Sequence, residues 1–142
     1  MWPFGKSKKV EAVLFSPLEG QLTLNGKPAA NAKIKLWYAW EDKKGSTFHY
    51  IADENGFFKI PKHSAMYKPF FLAQLVISQE ITVEFEELTY QIWQGSKQNP
   101  SEFAELGLQP KNIVCEMTNE QAIVRGVSSI AATTCKWDPS NR

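Results

Sequence analysis

Between residues 32 and 40 apolar and polar side chains alternate with a period of two. Ala32, Ile34, Leu36, Tyr38 and Trp40 fall on one side, Lys33, Lys35 and Trp37 on the other. Successive side chains of a strand point to opposite faces, so this spacing predicts a half-buried β-strand with Trp37 facing outward between lysines. Residues 79–85 repeat the pattern, with Ile81, Val83 and Phe85 inward and Glu80, Thr82 and Glu84 outward. After a turn at Glu86-Glu87, residues Leu88, Tyr90 and Ile92 continue it as the hairpin partner, ending near Trp93. Residues 10–15, 21–24, 47–52, 57–60, 70–77, 112–117 and 122–127 supply the other expected strands.

Turn residues punctuate these segments: Asn25-Gly26, the polar run 42–46 and Asp53-Glu54-Asn55-Gly56. The stretch 61–69 has two prolines and no period, and reads as a surface connection. One short helix is expected over residues 100–106, from Asn99 as cap, Pro100 at the first position, Glu102 three residues after the cap and Gly107 past the end. The predicted fold is all-β, an antiparallel Greek-key β-sandwich with one short connecting helix. Residues 1–9 form an N-terminal arm, 10–128 a single domain and 129–142 an irregular tail.

Composition narrows the class. A chain of 142 residues, 43% hydrophobic, fills one core rather than two. Sixteen basic residues face fifteen acidic ones, which gives no one-sided field of the kind nucleic-acid binders carry, so no nucleic-acid partner is expected. No run approaches the roughly 20 apolar residues of a membrane span. The first nine residues lack the apolar core of a secretory signal, and a cytoplasmic location is expected. Cys115 and Cys135 have no CxxC spacing or nearby His pair, which argues against zinc; two inert thiols are expected, with a disulfide as the alternative.

At residues 20–34, Gly20-Gln-Leu-Thr-Leu-Asn-Gly-Lys-Pro-Ala-Ala-Asn-Ala-Lys-Ile34, the sequence resembles the opening of transthyretin-like (prealbumin-like) and carboxypeptidase-regulatory-like domains. Ala52-Asp-Glu-Asn-Gly-Phe-Phe58 is similar to a second block of the same pattern. Gly26 and Gly56 stand where positive φ is needed, Pro28 fixes φ before the chain turns back, and Asn31 replaces the usual glycine. Residues 77–85 and 90–93 resemble small bacterial proteins built on this domain. One enzyme group of the fold, the 5-hydroxyisourate hydrolases, needs His and Arg side chains and a terminal Tyr-Arg-Gly-Ser. Here the chain ends Trp137-Asp-Pro-Ser-Asn-Arg142, and its only His and Arg residues are His49, His63, Arg125 and Arg142. The resemblance therefore implies the scaffold without that activity. No catalytic, cofactor-binding or metal-binding residue is expected.

The expected function is protein binding, as a bacterial immunity protein or adaptor that holds a toxin or secreted effector. The candidate interface comprises the acidic row Glu80, Glu84, Glu86 and Glu87 with the aromatics Trp37 and Trp93. A solvated strand face answered by Lys33 and Lys35 is the plainer reading of that row. Two alternatives remain open: a carbohydrate or cell-envelope ligand stacked on exposed Trp, and a weak peripheral membrane contact through Trp2, Phe4, Lys6, Lys8 and Lys9.

Overall fold

A computed structural model describes residues 9–40, 44–68 and 75–138. Its strands in chain order are β1 (Val10–Phe15), β2 (Leu18–Leu24), β3 (Lys27–Pro28), β4 (Lys33–Trp40), β5 (Ser46–Ile51), β6 (Phe57–Ile60) and β7 (His63–Tyr67). They continue with β8 (Ile77–Phe85), β9 (Leu88–Lys97), β10 (Lys111–Glu116), β11 (Ala122–Arg125), β12 (Ser129–Thr133) and β13 (Cys135–Asp138). A six-stranded sheet runs β11-β12-β9-β8-β4-β5, a five-stranded sheet runs β13-β10-β2-β3 with β6 also on β2, and β1 pairs with β7. The pairs are antiparallel except β2 with β10, which lie parallel.

The alternation seen in the sequence decides what each sheet buries. Leu22, Phe58, Ile60, Ile113 and Trp137 of the five-stranded sheet join Ile34, Leu36, Ile81 and Val83 of the six-stranded sheet in one core cluster, with Ala12, Leu14 and Tyr67 of the β1–β7 pair. The arrangement is sandwich-like. Leu22, Leu36, Ile60 and Ile81 are fully enclosed, each contributing about 1.5–3 kcal/mol of burial.

The turns follow the residues that permit them. Asn25 and Gly26 take φ of 54° and 82°, Asn31 takes 61° and Gly56 takes 80°. A β-carbon at Gly56 would stand 2.6 Å from the Leu22 carbonyl oxygen, so glycine is required there by space as well as by φ. Glu116, at the end of β10, fastens the β2–β3 turn. Its carboxylate accepts hydrogen bonds from Thr23 Oγ1, from the Asn25 and Gly26 amides, and from the amide and hydroxyl of Thr118. Partial burial acts to raise the Glu116 pKa, but these donors outweigh it and hold the carboxyl at about 2.

Four expectations are corrected. No helix occurs among the described residues, and residues 101–107 form successive turns. Asn99 Oδ1 caps the Ser101 amide as expected, but Phe103 takes φ of 63° and breaks the helical path, leaving a turn bond from Ala104 N–H to the Ser101 carbonyl and one from Gly107 N–H to the Phe103 carbonyl. The stretch read as a surface connection contains β7, which pairs with β1 from Val10–Tyr67 to Phe15–His63. The segment read as an irregular tail contains β12 and β13, which extend the two larger sheets. Cys115 and Cys135 face each other across the β10–β13 pair and are joined in a disulfide.

Candidate functional site

The outer face of the six-stranded sheet carries three of the candidate residues, Trp37, Glu80 and Glu84. Register places Trp37 beside Glu80 and Glu80 beside Gln94; the neighbouring row is His49, Lys35, Thr82 and Gln91; the next is Ile51, Lys33, Glu84 and Thr89. At one side of the face Gln121, from the β10–β11 connection, donates to the Gln91 side chain and carbonyl. Trp37 is half-buried, with its indole against Gly45. A β-carbon at Gly45, which has φ of 96°, would meet Trp37 Nε1 at 2.6 Å. Part of the ring is open to solvent, as at an aromatic contact residue.

The acidic row is divided by geometry. Glu80 accepts a hydrogen bond from Gln91 Nε2 beside Trp37. Glu84 lies 3.9 Å from Lys33 Nζ, both side chains well exposed, a pairing that contributes at most about 1 kcal/mol. Glu86 and Glu87 leave the face altogether. They are the two central residues of the β8–β9 turn, with φ of 51° and 68°, conformations that suit Asn-Gly far better than Glu-Glu.

Trp93 is not part of the surface. It is 3% exposed, packs edge-on against Phe15 with centroids 6.1 Å apart, and donates from Nε1 to Gln79 Oε1. The cause is a register shift on β9: Ile81 opposes Trp93 whereas Thr82 opposes Gln91, so Ile92 is an extra residue and strict alternation fails there. Ile92 and Trp93 are consequently both buried. Trp2, Phe4, Lys6 and Lys8 of the arm lie outside the described residues; Lys9 is exposed.

Two clusters escaped the sequence reading. In the first, His63 sits between two tyrosines, with Tyr38 Oη 3.1 Å from Nδ1 and Tyr50 Oη 2.6 Å from Nε2. Phe48 covers the imidazole with a centroid separation of 4.4 Å. Burial lowers the pKa of His63 and raises those of both tyrosines, so a neutral imidazole accepts from one hydroxyl and donates to the other. The second cluster is a buried polar network. Glu105 accepts from the Ser16 amide and hydroxyl and from Gln79 Nε2, and pairs with Lys97. Gln79 lies on the inward row between Ile77 and Ile81, a polar residue where the alternation demands an apolar one, and this was the available signal for the network.

No helix among the described residues is long and apolar enough to cross a membrane. Also among the described residues, no group of three or more His, Cys, Asp or Glu is placed to hold a metal ion. No curated protein and no solved structure matches the chain. Residues 18–120, most of the chain, match the family model described as a domain of unknown function, DUF6795, and the chain belongs to that family.

Proposed function

We propose that this chain is a non-enzymatic protein-binding module, a bacterial immunity protein or adaptor that docks a toxin or secreted effector on the outer face of its six-stranded sheet. The observation that carries the reading is Trp37: an aromatic side chain seated against Gly45, partly open, with Glu80, Lys35 and Gln94 around it on the outer face of the sheet. An aromatic anchor ringed by polar side chains of both signs is the composition of a protein interface. The finer fold reading is a Greek-key sandwich of the transthyretin-like kind, supported by the positive-φ turns at Gly26 and Gly56. Affinity capture with the wild type, Trp37→Ala and the double charge reversal Glu80→Lys/Glu84→Lys tests the surface. Loss of a specific partner from both variants supports it, and unchanged recovery refutes it.

A second reading is favoured by the Cys115–Cys135 disulfide. Buried disulfides persist in oxidising compartments and are rare in the cytoplasm, so the bond supports an envelope or extracellular site of action in place of a cytoplasmic one. There Trp37 would stack a sugar ring of an envelope polysaccharide. Affinity electrophoresis in polysaccharide gels separates the two readings: retardation abolished by Trp37→Ala selects the sugar, and unretarded migration selects the protein partner.

A further inference from the structure

We infer that β5 is a self-association edge, along which two copies of this chain pair antiparallel and join their six-stranded sheets into one. Among the described residues nothing pairs with the free side of β5, the last strand of its sheet. Its register with β4 is regular from Lys33–Ile51 to Tyr38–Ser46, with no bulge. Its sequence, STFHYI, has no proline, no lysine and no acidic residue. Natural sheets blunt exposed edges with those devices or by shortening the strand. The opposite edge of this sheet and the β13 edge of the five-stranded sheet do so: β11 is four residues long and ends in Arg125, and β13 is four residues long and carries Lys136 and Asp138. Within β6, also four residues long, Lys59 interrupts the apolar run. Among the described edges without such a guard β5 is the longest, and alternate residues along it turn backbone donors and acceptors outward between β-favouring side chains.

A second copy fits this edge better than an unrelated strand because β5 is complementary to itself. Antiparallel pairing about a twofold axis places directly opposed residues on the same face. With the axis at His49, Phe48 of each copy opposes Tyr50 of the other on the inner face, and Thr47 opposes Ile51 on the outer face. The inner pairs extend the half-buried aromatic group of Tyr38, Phe48, Tyr50 and His63, and the outer pairs cover Ile51, which is 68% exposed. Charge does not oppose the contact. Lys33 and Lys35 lie on β4, so the two lysine rows stand three strand spacings apart, about 14 Å, beyond the screening length of about 8 Å at physiological salt. The pairing reaches beyond the proposed function, because it sets two Trp37 faces side by side on one continuous sheet and makes a partner contact bivalent.

Sedimentation velocity across a concentration series tests the inference with His49→Lys and His49→Glu, changes at an exposed position that leave the core untouched. The wild type is expected to sediment as a dimer. Each variant, which sets like charges opposite one another at the axis, is expected to dimerise about tenfold or more weakly. An equimolar mixture of the two variants is expected to recover the dimer as a heterodimer. A wild type that remains monomeric throughout the series overturns the inference, as does undiminished dimerisation of the two variants or a mixture that associates no better than either alone. Glu80→Lys/Glu84→Lys, which removes the proposed partner face, is expected to leave the dimer intact, so failure of either reading is seen separately.

Discussion

Lys97 Nζ lies 3.2 Å from a Glu105 carboxylate oxygen, with its side chain fully sealed and that of Glu105 only 6% exposed. Burial pulls the Lys97 ammonium below its ordinary pKa, and the Glu105 charge and hydrogen bond oppose that fall. A charge in such surroundings depends on its partner. Lys97→Met is therefore expected to destabilise the fold by about 3–5 kcal/mol, because it strands the Glu105 carboxylate. Adding Glu105→Gln should recover part of that loss, since the amide oxygen still accepts from Ser16. Urea denaturation of the two variants checks both statements.

The disulfide closes a loop with a sequence separation of 20 that leaves the five-stranded sheet at β10, builds β11 and β12 in the other sheet, and returns as β13. Loop closure of that length is worth about 3 kcal/mol. Cys115→Ala/Cys135→Ala is expected to lower stability by that order. Dithiothreitol should bring the wild type down toward the variant while leaving the variant unmoved in the same denaturant titration.

Burial holds the folded-state pKa of His63 below the ordinary 6.5. As pH falls, the unfolded chain takes up the proton first, so stability present above pH 6.5 is lost as pH drops through the folded value. The thermal midpoint is expected to fall between about pH 8 and about pH 5, and His63→Gln, which keeps a donor and an acceptor but does not titrate, should flatten that dependence.

Glu116 acts at the acid end. With its carboxyl at about 2 against an ordinary 4.5, its contribution is complete above about pH 4.5 and disappears as pH falls through about 2. Glu116→Gln is expected to cost about 1–2 kcal/mol at neutral pH through weaker bonds to the β2–β3 turn, and to shallow the acid limb of the stability profile.

Glu86 and Glu87 hold left-handed conformations that favour Asn and Gly. Glu86→Asn/Glu87→Gly is expected to raise stability by about 1–2 kcal/mol, read as an upward shift of the urea midpoint.

Much of this architecture was legible before any coordinate. β4, β8 and the first half of β9 follow from strict alternation, and Gly26, Gly56 and Asn31 from turn chemistry. What escaped was decided by contacts remote in sequence. Ile92 shifts the register of β9 and turns Trp93 inward, a choice no local pattern records. β7 lies between Pro61 and Pro69, which signal a loop, and its strand form depends on pairing with the distant β1. The helix signals around Asn99 and Gly107 were sound locally, yet the segment is drawn out of helical form: the Phe103 amide donates to Ser16 Oγ, and Ser129 Oγ bonds the carbonyls of Ala104 and Glu105. Of the candidate site, the outward set of Trp37, Glu80 and Glu84 could be read from period alone, while the positive φ at Glu86 and Glu87 could not.

The parallel union of β2 with β10 has a kinetic consequence. The hydrogen bond from Thr23 to Glu116 spans 93 residues, and the β8–β9 hairpin lies wholly between its ends. During synthesis that hairpin and β4 can assemble early and β2 can pair with β3 and β6, whereas the union of β2 with β10 must wait for a strand that emerges late. Non-local closure of this kind slows folding and leaves the inner face of the nascent six-stranded sheet uncovered in the interval. The chain is thus expected to fold in a slow final step, with β10 and β13 the last to become protected from hydrogen exchange.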